Sequence, residues 1–64
     1  MDGIYLEYLM KTKGLSRQDL ANAEGWSLAT CSRKINGTSD WTINELKTLY
    51  GLGFSEAEIE KIFF

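Results

Sequence analysis

The chain has 64 residues, 44% of them hydrophobic and 25% charged, with no proline and no histidine. Residues 1–64 therefore read as one small domain, too short for two cores and too apolar for disorder. A formal net charge of -2 with a pI near 4.9 argues against a generic basic nucleic-acid coat. One thiol, Cys31, and no imidazole exclude an internal disulfide and a histidine-activated nucleophile, and they argue against a metal cluster.

A domain of this length buries only roughly 60% of the surface its unfolded chain exposes, so packed helices or a partner must supply stability. No stretch approaches the roughly 18 apolar residues of a membrane span. The opening MDGIYLEYLMKTKG has neither the basic and apolar regions nor the cleavage site of a signal peptide. The expectation is a cytoplasmic chain that is not an enzyme and uses no cofactor, metal or membrane.

Taken in chain order, the apolar spacing is helical throughout, and Gly14, Gly25, Gly37 and the Gly51-Leu52-Gly53 stretch cut it into five segments. The first carries Leu6, Leu9 and Met10 at helical spacing. The second opens with Leu15-Ser16-Arg17-Gln18-Asp19-Leu20, in which a hydroxyl cap is followed three positions later by an acid, with an apolar residue on either side. Such a pattern satisfies free backbone N–H groups reciprocally and staples the chain entry. Trp41-Thr42-Ile43-Asn44-Glu45-Leu46 and Phe54-Ser55-Glu56-Ala57-Glu58-Ile59 repeat it, placing the fourth and fifth helices.

The third helix departs from this rule. Trp26-Ser27-Leu28-Ala29-Thr30-Cys31 keeps the cap and the staple but has Thr30 where the others have an acid. Many helices lack a capping box, so the difference has an ordinary explanation. The functional one is that a helix N-terminus free of carboxylates attracts a phosphate. Charge is uneven in the same sense: residues 1–38 carry five basic and four acidic side chains, residues 39–64 two and five, and residues 25–39 hold Arg33 and Lys34 with no acid.

The second and third helices have helix-turn-helix spacing. Leu20 and Cys31 can meet in the angle between them, Ala21 must be small where they cross, and Gly25 supplies the positive φ of a sharp turn. Cys31 and Ile35, four apart, turn one edge of the third helix inward. Cys31 reads as a packing residue rather than a redox sensor, and Trp26 and Trp41, at staple positions, read as core.

With these residues in place, SRQDLANAEGWSLATCSRKING (Ser16 to Gly37) resembles the lambda repressor and Cro-like helix-turn-helix proteins, the Xre-like group, especially short phage and prophage members. Leu6, Leu9 and Lys13-Gly14-Leu15 before it, and the two later helices, extend the resemblance over nearly the whole chain. It implies an all-α bundle of about five helices whose third helix enters the major groove of operator DNA with its N-terminal residues facing base edges.

By that resemblance Leu28, Ala29, Ser32 and Arg33 face outward, behind the cap Ser27. Arg33 matches guanine O6 and N7, Ser32 serves either kind of base edge, and Leu28 and Ala29 suit a thymine methyl. Arg17 and Gln18 occupy the family's phosphate-contacting place at the start of the second helix. Asn36, Gly37, Thr38 and Ser39, with Lys34 nearby, offer donors to phosphates. Three positions depart from the family pattern: Trp26 replaces a small aliphatic residue, and Leu28 and Ala29 stand where glutamine or arginine is common.

The family also implies dimers on two-fold operators, with C-terminal Ile62, Phe63 and Phe64 as the candidate interface. A different class of function fits the same composition: a protein-binding module, an antirepressor or modulator that pairs with another phage repressor. The discriminating feature is whether Arg17, Arg33 and Lys34 form one positive face or are neutralised by acids such as Asp19, Glu24 and Asp40.

Overall fold

Five α-helices and no strand make up the computed structural model, which describes residues 1–64: α1 (Gly3–Thr12), α2 (Arg17–Glu24), α3 (Leu28–Ile35), α4 (Ile43–Gly51) and α5 (Glu56–Phe63). None exceeds 10 residues, too short to persist alone in water, so tertiary packing holds them.

The helix starts follow from local chemistry. Ser16 accepts the Asp19 N–H at 3.1 Å while the Asp19 carboxylate accepts the Ser16 N–H at 2.8 Å. The same reciprocal pairs close at Thr42 with Glu45 and at Ser55 with Glu58. α3 begins at Ser27, whose hydroxyl accepts the Thr30 N–H at 3.1 Å, with no acid in its first turn. α1 has a cap outside that pattern, the Asp2 carboxylate accepting the Tyr5 N–H at 3.0 Å.

Between α2 and α3 the chain turns at Gly25, left-handed at φ 76°, and the Trp26 N–H reaches back to the Ala21 carbonyl at 2.9 Å. A side chain there would cost steric energy that glycine avoids.

Eleven buried side chains form one core: Leu6, Leu9 and Met10 from α1, Leu20 and Ala21 from α2, Cys31 and Ile35 from α3, Leu49 from α4, Phe54, and Ile59 and Ile62 from α5. α3 packs on α1 and α2, and α5 on α1 and α4. The Cα radius of gyration is 10.4 Å, against about 11 Å for a compact chain of this length.

Trp26 and Trp41 line the edge of the core rather than its centre, because each indole N–H needs a polar partner. Trp26 donates to Glu45 Oε2 at 3.1 Å and Trp41 to the Lys34 carbonyl at 3.0 Å. The two rings meet edge to face at 5.1 Å, and Trp41 meets Phe63 likewise at 5.0 Å. This aromatic row ties the end of α3 to α4 and α5.

Candidate nucleic-acid interface

α3 has a locked face and a free one. Cys31 and Ile35 are fully buried, while Ser27, Leu28, Ala29 and Arg33 are exposed. The Cys31 thiol contributes only to packing: it contacts the Arg17 carbonyl at 3.5 Å, and burial pushes its pKa up, away from reactive thiolate. Leu28 is 51% exposed, an apolar side chain held in water.

On that free face a short hydroxyl chain organises the N-terminal turn. Ser27 donates to Thr30 Oγ1 at 3.1 Å, and Arg33 Nη2 donates to the same oxygen at 3.2 Å. The guanidinium is thereby drawn back one turn along the helix to Thr30, with its other donors open. Arg33 has no acidic partner in the structure.

The other two cations of the expected positive face are paired. Arg17, at the start of α2, donates through Nη1 to Ser32 Oγ at 3.0 Å and through Nη2 forms an ion pair with Glu7 of α1. Lys34 turns away from the free face: its ammonium binds Glu45 Oε1 at 3.0 Å and the Asp40 carbonyl, and lies 5.4 Å from the Trp26 ring centre. With a side chain 12% exposed, Lys34 serves the α3–α4 joint.

The neutralising acids are thus Glu7 and Glu45. Asp19 is occupied by the α2 cap, where the Ser16 backbone N–H holds its carboxyl below the ordinary range. Burial works to raise Glu45, but the Thr42 N–H, Lys34 and the Trp26 indole outweigh it and leave it lowered. The Glu7–Arg17 pair spans ten positions across a helix boundary, and no local pattern announces it.

Gln18 is exposed at the α2 N-terminus and donates to Asn22 one turn on, at 2.8 Å. In the loop after α3, the N–H groups of Asn36, Gly37 and Thr38 all return to α3 carbonyls, and the Thr38 hydroxyl joins them on the Arg33 carbonyl at 3.1 Å. That closes the helix end and leaves the side chains of Asn36 and Ser39 as the loop's free polar groups.

At the C-terminus Ile62 is 1% exposed and belongs to the core, Phe63 is half-buried, and Phe64 is 89% exposed, lining with Phe63 a pocket shared with Gly37, Ser39 and Asp40 of the loop after α3. Of the three residues expected at an interface, Ile62 is therefore core, and only Phe64 is largely exposed. Tyr50 and Phe64 flank one shallow groove with Glu56, Ile59 and Glu60.

No three metal-ligating side chains converge, and no helix is long and apolar enough to cross a membrane. No protein-family model, curated protein or solved structure matches the chain.

Proposed function

We propose that this chain is a DNA-binding transcriptional regulator of the Cro-like type carried by phages and prophages, with α2 and α3 acting as a helix-turn-helix. In this reading α3 enters the operator major groove and the protein works in the bacterial cytoplasm. The observation that carries it is the free face of α3: Ser27, Leu28, Ala29 and Arg33 stand exposed without a carboxylate while Cys31 and Ile35 anchor the helix. A rigid, acid-free helix face with one forked cation suits direct readout of a base step, guanine by Arg33 and thymine by the apolar pair.

Affinity in this reading rests little on charge. Arg33 is the one unpaired cation on the face, joined by Arg17 once it leaves Glu7, and by the polar side chains of Gln18, Asn36 and Ser39. Two copies on a two-fold operator double that footprint, presenting α3 to major grooves roughly 34 Å apart. The exposed Phe64 and Tyr50 supply apolar surface for such a contact. Phe64→Ser then lowers the dimer fraction in sedimentation without altering the fold, and an unchanged mass distribution removes this end as the interface.

Anisotropy of labelled duplexes from the DNA flanking the gene, titrated across a salt series, tests the reading. Saturable binding that prefers one duplex and weakens with salt is expected. Arg33→Ala costs about 1 to 3 kcal/mol on the preferred duplex and relaxes the preference at one base position. An unchanged preference removes Arg33 as a reader.

The pairing of Arg17 and Lys34 favours a second reading, a protein-binding modulator that docks on another repressor through the same α3 face. A folded sample that binds no duplex at low salt selects it.

A further inference from the structure

We propose that Glu7 acts as a gate on the phosphate contact of Arg17, holding the guanidinium against α1 and Ser32 until a DNA phosphate displaces the carboxylate. The proposal rests on the DNA-binding reading and adds to it a residue of α1, outside the two helices that the reading uses.

Three features of the structure carry it. The Arg17 guanidinium forks between two elements, with Nη2 on Glu7 of α1 and Nη1 on Ser32 of α3 at 3.0 Å. Both partners of the ion pair lie in solvent, with Arg17 and Glu7 side chains 44% and 41% exposed. An exposed pair is a weak restraint that another oxyanion can replace, and phosphate matches the guanidinium fork as well as carboxylate does. Beside the pair runs a cleft of about 240 Å³ lined by Glu7, Met10, Lys11, Leu15, Ser16 and Arg17. Two of those residues are cations and Glu7 is the only acid. An anion that takes the place of the Glu7 carboxylate therefore meets Lys11 as well as Arg17, close to the start of α2.

The exchange has two consequences. Glu7 loses its counter-charge and faces the phosphate as a like charge, so it opposes binding both before and after the switch. Ser32 loses the Arg17 donor, and its hydroxyl becomes available to a base edge. Phosphate capture by α2 and base reading by α3 are in this way linked through one side chain.

The test is a double-mutant cycle of Glu7→Gln and Arg17→Ala, read by anisotropy on the preferred duplex over a salt series. Glu7→Gln tightens binding about 3- to 10-fold at low salt, and screening erodes the gain as salt rises. The plot of log affinity against log salt steepens, by less than about 0.9 per subunit, because the freed Glu7 carboxylate of the parent takes up part of a cation and the glutamine does not. In the Arg17→Ala background the gain shrinks to less than half, because the gate has nothing left to hold. A gain of full size in that background shows simple repulsion by Glu7 and overturns the gate, as does an unchanged affinity and slope for Glu7→Gln alone. If parent and Glu7→Gln proteins, both folded by circular dichroism, bind no duplex at low salt, the DNA-binding reading itself falls and takes the gate with it. Binding by the parent with no coupling in the cycle leaves that reading standing and removes only the gate.

Discussion

Gly3→Ala lowers the melting temperature by about 15 °C, the equivalent of about 3 kcal/mol for a domain of this size. Helix propensity alone gives the opposite sign, since alanine replacing glycine inside a helix stabilises by roughly 0.5 to 1 kcal/mol. The reversal is steric. A Cβ on Gly3 would stand 2.1 Å from the Ile35 carbonyl oxygen and 3.3 Å from its carbon, both backbone atoms at the end of α3. Nor can the start of α1 slide aside freely, because the Asp2 N–H is bonded to the Ile62 carbonyl of α5 at 2.6 Å. Relief requires α1 to lift from α3, opening the core around Leu6 and Ile35. Gly51→Ala is the control: that glycine ends α4 with open space around it and no positive φ, so the substitution raises the melting temperature by a few degrees. A Gly3→Ala protein as stable as its parent would show that α1 and α3 are not held at this distance.

Glu24 gives the second large effect, a stability that declines as pH rises from about 4.5 to about 7. Its carboxyl, at the end of α2, has one oxygen, Oε2, buried with no hydrogen-bond partner. Burial pushes its pKa up to about 7, with Glu45 adding to the shift and the Thr48 hydroxyl and Lys34 opposing it. In the unfolded chain the group titrates near 4.5, so between those values the folded state binds the extra proton. Unfolding then releases a proton, and stability falls with rising pH from about 4.5 to about 7 and is level above. Solvent reaches part of the carboxyl, which reduces the loss to about 1 to 2 kcal/mol, less than the whole shift would convert to. Asp19, Glu45 and Glu58 have lowered values and act in the opposite sense, their contribution disappearing only as pH falls below the ordinary carboxylate range. Denaturant midpoints therefore peak near pH 5. In Glu24→Gln the decline between pH 5 and 7 flattens, and a slope that persists unchanged would assign it to another group.

The same junction shows how charge is used in this protein. Lys34, Glu45 and Trp26 form one polar knot over the aromatic row, with the Glu45 carboxylate serving the α4 cap, the ammonium and the indole together. Removing Lys34 or Glu45 leaves the other charge partly buried without its counter-charge, a cost larger than the pair itself contributes. Lys34 belongs to this knot, which is why the exposed face of α3 has fewer free cations than its sequence contains.

The sequence by itself determined the helical class, the number of helices and where four of them begin. Those features depend on contacts within four residues: a capping hydroxyl, joined at three of the four starts by a carboxylate three residues on, closes on the free N–H groups wherever the segment sits in the fold. Helical spacing likewise identified Leu20, Ala21, Cys31 and Ile35 as the inward residues where α2 meets α3, and of the residues the resemblance turns outward, Leu28, Ala29 and Arg33 are exposed while Ser32 is half-buried. Only the tertiary structure decided which charges are free. Arg17 meets Glu7, Lys34 meets Glu45 and Lys13 meets Glu58 across separations of 10, 11 and 45 residues, distances set by how the helices cross rather than by any local pattern. The need for glycine at position 3 and the orphaned oxygen of Glu24 are of the same kind. Each arises where two helices far apart in sequence come within van der Waals contact, and that separation is fixed by the packing of the whole core.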